Sequence, residues 1–94
     1  MKTIHKHRLN VSSDVQEIRL PESGKVLKVD YILQDAAICM WVEVDADTVI
    51  DTPKEVRTFK VFNTGSGIPN NARYIGTTIN QMKPDAYHVY ELRD

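Results

Sequence analysis

Hydrophobic and polar residues alternate along most of this chain with a period of two, which is the spacing of strands that press one face on a core. From Val26 to Leu33 the polar-leaning set Val26, Lys28, Asp30 and Ile32 interleaves with Leu27, Val29, Tyr31 and Leu33. The second set is continuously apolar, so it should face inward. After a turn at Gln34-Asp35-Ala36, the stretch Ala37 to Val44 puts Ile38, Met40, Val42 and Val44 on one face and Cys39 and Trp41 on the other. Apolar residues on both faces predict a central strand, with Trp41 and Cys39 as core. Val56 to Asn63 sets Phe59 and Val61 against Thr58, Lys60 and Phe62. Arg73 to Ile79 (Ile75 and Ile79 inward) and Ala86 to Leu92 (Tyr87 and Val89 inward) repeat the scheme. Thr3–Leu9 and Val15–Leu20 are two further strands.

No window supports a long helix. Ser12 or Ser13 could cap a short turn before Val15, and Pro21 would stop it. Loops fall at Pro21–Gly24, Asp45–Glu55 and Thr64–Ala72. The reading is a single all-β domain over residues 1–94, an antiparallel sandwich or small barrel of about seven strands with little or no helix. At 94 residues, 41% hydrophobic and 27% charged, the composition is that of one folded domain. A single cysteine excludes an internal disulfide framework. The basic start Met1-Lys2-Thr3-Ile4-His5-Lys6-His7-Arg8 is not followed by a signal-type apolar stretch. The longest apolar run, Ala36 to Val42, is far short of the roughly 20 residues that span a bilayer. A cytoplasmic protein with no membrane association is expected.

Charge changes the picture once it is divided by segment. The net −1 contains a stretch, residues 31–56, with Lys54 against six carboxylates, and a stretch, 57–83, with Arg57, Lys60, Arg73 and Lys83 and no acid. These segments either pair with each other across adjacent strands or leave a basic surface that attracts an anion. Within the basic segment, Gly65 and Gly67 flank Ser66, so backbone N–H groups could line a concavity for phosphate or carboxylate. Thr64, Ser66, Asn70 and Asn71 add polar side chains, Arg57, Lys60 and Arg73 add charge, and Tyr74 could stack on a base. These ten residues are the candidate ligand-binding set. The loop is no Walker motif, since no Gly-Lys-Ser/Thr closes it and no helix follows; an ordinary strand connection is the competing reading.

Other chemistry is weakly supported. His5 and His7 share a strand face and His88 could join them if the terminal strands pair, but Lys6 and Arg8 interleave as on a solvated edge. Asp45, Asp47 and Asp51 alternate like a calcium loop, yet Ile50 stands where the loop's glycine belongs and Val56 where its glutamate belongs. No metal, cofactor or catalytic residue is expected.

Several segments, in order, carry a resemblance: Met1-Lys2-Thr3-Ile4-His5-Lys6, Met40-Trp41-Val42-Glu43-Val44-Asp45, Arg57-Thr58-Phe59-Lys60-Val61-Phe62-Asn63-Thr64-Gly65-Ser66-Gly67-Ile68-Pro69, Arg73-Tyr74-Ile75-Gly76-Thr77 and Tyr87-His88-Val89-Tyr90-Glu91. Together they resemble a family of short proteins of tailed bacteriophages and prophages that forms a domain of unknown function. The loop Asp45–Glu55 is longer here than in that pattern. The resemblance implies a small all-β phage accessory protein of the bacterial cytoplasm and supplies no catalytic residues. The leading expectation is a non-enzymatic binding protein that captures a small anionic ligand, such as a cyclic nucleotide used as an immune signal, in counter-defence. The alternatives are a protein–protein inhibitor of a host defence enzyme, docking through a strand edge or the acidic loop, and a small metal-dependent or nucleotide-acting enzyme. A homodimer or higher homo-oligomer is expected, and no long nucleic acid.

Overall fold

The computed structural model describes residues 1–46 and 54–92. Among these, the strands β1 (Lys2–Leu9), β2 (Gln16–Pro21), β3 (Lys25–Ile32), β4 (Ala37–Asp45), β5 (Lys54–Asn63), β6 (Arg73–Asn80) and β7 (Asp85–Leu92) form two antiparallel sheets. The first has the order β1-β4-β3 and the second β2-β5-β7-β6. The only helical turn among the described residues is Leu33–Asp35, a 3-10 turn between β3 and β4 that ends on Ala36 at a φ of 48°. The β1–β2 connection is likewise a turn. Ser12 Oγ accepts from the Asp14 N–H, and the Gln16 side chain bonds both the N–H and the carbonyl of Asn10.

The core lies where the inward faces meet. Ile38, Met40, Val42 and Val44 of β4 pack with Phe59 and Val61 of β5, Val89 of β7 and Leu20 of β2. Each such fully buried side chain contributes about 1.5–3 kcal/mol through removal from water. The alternation in β4, β5 and β7 thus gives the buried set, and β4 is central in its sheet. Two strands depart from it for one reason. β3 is bulged between Val26 and Lys28, and β6 between Tyr74 and Gly76. An extra residue reverses the facing of whatever follows or precedes it. So Val26 packs on the core while Leu27 is exposed, and Ile75 packs on it while Ile79 is exposed. Leu33 is exposed because the chain has already turned.

The sheets approach each other along β3 and β6 without a ladder between them. The Thr78 hydroxyl bridges this seam, accepting from the Tyr31 N–H at 2.8 Å and donating to Asp30 at 3.1 Å. The approach is close: a Cβ on Gly76 would stand 2.7 Å from Val29 Cγ2. Among the described residues no ladder joins β1 to β2, so the barrel alternative is not realised. These strands are edges guarded by Lys2, Lys6 and Arg8 on β1 and by Pro21 on β2.

β5 and β6 both run antiparallel to β7, which lies between them. They are therefore parallel to each other, and residues 64–72 must return along the sheet. The return passes over the outward face, where Thr64 Oγ1 lies 2.9 Å from His88 Nε2. Phe62 faces outward by register yet is only 4% exposed. Trp41 departs from its expected place: it faces outward from β4 and is half-buried. Cys39, on the same face, is buried as expected of a small hydrophobe.

Candidate functional site

One end of the inter-sheet space is closed by charge instead of hydrocarbon. Arg57 has the parity of Phe59 and Val61, and Glu91 that of Tyr87 and Val89, so both point inward. Arg57 Nε and Nη2 donate to the two Glu91 oxygens at 2.7 and 2.8 Å, and Nη1 donates to the Gly24 carbonyl at 2.7 Å. The two side chains are 11% and 7% exposed. Such a bidentate pair is short, directional and screened little by salt. Its bond to Glu91 holds the Arg57 guanidinium above its ordinary pKa, and burial opposes this only in part. Arg57 therefore stays charged throughout the accessible pH range.

Arg57 borders two adjoining clefts, the larger of them together with Glu91. The larger, about 480 Å³, is bordered by Glu22, Glu55 and Glu91 with Arg57 and Arg73. The smaller, about 340 Å³, is bordered by Lys25, Arg57 and Arg73 with Glu22 as its one carboxylate, together with Ser23 and Tyr74. Both have the size of small-ligand sites. Their charges differ in sign: carboxylates outnumber cations in the larger, and cations outnumber carboxylates in the smaller. Even with Arg57 neutralised by Glu91, Lys25 and Arg73 exceed Glu22. Tyr74 is 56% exposed, its hydroxyl 2.8 Å from Thr77 Oγ1 and its ring edge-to-face on Tyr90 at 5.4 Å.

Of the ten candidate residues, the structure brings Arg57, Arg73 and Tyr74 together at this end. Lys60 is three residues from Arg57, so it has the opposite parity and faces outward, with its ammonium 5.1 Å from the Phe62 ring. Thr64 also lies on that outward face. Gly65, Ser66, Gly67, Asn70 and Asn71 occupy the crossover and do not border either cleft. The crossover behaves as a connection. Gly65 alone takes a positive φ, 92°, and the Ser66 N–H donates back to Asn63.

Sequence reasoning missed Glu22, Ser23, Lys25 and Glu91. Glu91 could have been found, because it and Arg57 are opposite charges on core-facing parity. Glu22 and Ser23 sit in the β2–β3 turn and Lys25 opens β3, and only the sheet order reveals their place against β5 and β6. Among the described residues, ion pairs from the acidic and basic segments run to other partners, although Glu55 adds a longer-range attraction to Arg57. Glu43 of β4 meets Lys2 at 3.2 Å, and Arg57 meets Glu91. His5 and His7 lie on β1 and His88 in the other sheet, so the three do not meet. Among the described residues no group of three or more His, Cys, Asp or Glu could hold a metal ion. Asp47, Ile50 and Asp51 lie outside the described residues. No helix among the described residues is long and apolar enough to cross a membrane.

The family model described as Domain of unknown function (DUF7352) matches residues 1–94, and the chain belongs to that family. No curated protein and no solved structure matches the chain.

Proposed function

We propose that this member of the DUF7352 family is a non-enzymatic binding module that captures a small anionic ligand, a nucleotide by preference, at the positive end cleft. One observation carries the reading. The 340 Å³ cleft has three cations against one carboxylate, and the exposed Tyr74 borders it from the outward face of β6. In this reading Arg73 grips phosphate with its planar fork, Lys25 adds a second charge, Ser23 a hydroxyl, and Tyr74 a ring for a base. Arg57 acts as a rigid floor, since Glu91 and Gly24 hold it. The resemblance to phage proteins supports placing this activity in the cytoplasm of an infected bacterium, where capture of a nucleotide signal would serve counter-defence. A homodimer with the cleft near the interface suits that role.

Native mass spectrometry of the protein with a panel of cyclic and linear nucleotides tests this reading. Retention of at least one nucleotide is expected, with loss on Lys25→Glu. Retention of none overturns it. A second reading, docking on a host enzyme, is favoured by an exposed apolar patch of Leu33, Ile79 and Met82, which are 55%, 55% and 74% exposed. In that case Ile79→Glu with Met82→Glu would abolish inhibition of the partner while nucleotide retention stayed unchanged.

A further inference from the structure

The outward face of β1-β4-β3 is the opposite of the crossover-covered face. The register aligns Lys6 with Trp41 and Lys28 with Trp41, so the indole stands in the middle strand with a lysine beside it on each edge. The neighbouring rows align Arg8, Cys39 and Asp30, then Ile4, Glu43 and Lys25, and Lys2 opposite Asp45. Five cations thus share a face with three carboxylates on a chain whose total charge is −1. Glu43 is engaged with Lys2 at 3.2 Å and Asp30 with Lys28 at 3.8 Å. Arg8 is tethered by Nη2 to the Asp35 carbonyl at 2.9 Å, which holds its guanidinium beside the sheet. Lys6 and Lys25 are exposed and make no ion pair among the described residues.

We propose that this face binds single-stranded nucleic acid, with Trp41 stacking on a base and Lys6 and Lys28 contacting the backbone. The positive excess selects a polyanion, and the ring selects one that carries unstacked bases. Stacking on an aromatic platform between cations is how sequence-tolerant single-strand binders gain affinity. A duplex keeps its bases stacked, and an acidic peptide offers the indole no base to stack on. The inference goes beyond the small-ligand reading: Trp41, Lys6 and Lys28 do not border the end cleft, and Lys25, which does, is left out of its test, so each can fail alone.

Trp41 is the only tryptophan, so its emission reports occupancy of this face directly. The intact protein is titrated into a short fluorescein-labelled oligothymidylate, and both anisotropy and Trp41 emission are followed. Binding at low salt with quenching of Trp41 is expected. Trp41→Ala should weaken it about tenfold or more. Lys6→Glu combined with Lys28→Glu should weaken it further and lower the steepness of the log–log salt dependence by about 1.4. Arg73→Glu should leave it unchanged, separating this face from the end cleft. No anisotropy change at low salt, or full binding by the Trp41→Ala and the double-lysine proteins, overturns the proposal. Displacement by polyglutamate as readily as by unlabelled oligonucleotide also overturns it and assigns the face to an acidic protein.

Discussion

Arg57 and Arg73 stand on the same face of the same sheet, at the same end of the molecule, and differ in almost everything that matters chemically. Arg57 is 11% exposed, with three N–H groups held by Glu91 and the Gly24 carbonyl. Arg73 opens β6, is exposed, and borders both clefts. The first is part of the wall and the second is part of the opening. A net charge counts both alike, whereas only an arginine whose charge is not already matched adds to attraction for a ligand.

Stability should separate the two arginines most. Arg57→Ala strands a buried carboxylate and should cost about 3–5 kcal/mol in denaturant unfolding, a large share of the stability of a domain this size. Arg57→Met with Glu91→Leu, which removes both charges together, should recover most of that loss. Arg73→Ala, by contrast, should leave the unfolding midpoint unchanged. If the two single variants unfold alike, the division between wall and opening is wrong.

Next in size is the seam that fixes where the clefts lie. Gly76→Ala drives a methyl into Val29 and should cost about 1–3 kcal/mol, read as a lower thermal midpoint. Adding Val29→Ala should not deepen the loss by the full amount expected of an independent site. Thr78→Val removes the acceptor of the Tyr31 N–H and should cost about 1–2 kcal/mol. Amide exchange at Tyr31 should speed up in that variant.

The smallest effect sharpens the opening itself. Tyr74→Phe loses only an exposed hydrogen bond to Thr77, so its stability change should stay within about 0.5 kcal/mol. On the proposed stacking role of the ring, nucleotide retention should persist in that variant and fall in Tyr74→Ala.

These contrasts also show what the sequence can and cannot reveal. The alternation in β4, β5 and β7 places Ile38, Met40, Val42, Phe59, Val61 and Val89 on the core with no ambiguity. It fails at Leu27 and Ile79, because a bulge adds one residue and carries no distinctive composition. It places Trp41 in the core because an apolar residue in a central strand has two faces available, and only the sheet order shows that one of them is open. Arg57 and Arg73 were visible as cations near Tyr74. The turn carrying Ser23, with Lys25 at the start of β3, was not, since its position depends on which strands pair across the molecule. The Gly65–Asn71 loop looked like a cradle because glycines permit one, yet its length is set by the need to return past β7.

Whether the unmatched Arg73 draws in a ligand is decided by a calorimetric titration of nucleotides into the intact protein and into Arg73→Glu. Binding by the intact protein, lost in Arg73→Glu while the unfolding midpoint is preserved, is the predicted result. Equal binding by both proteins, or no heat from either, would contradict it.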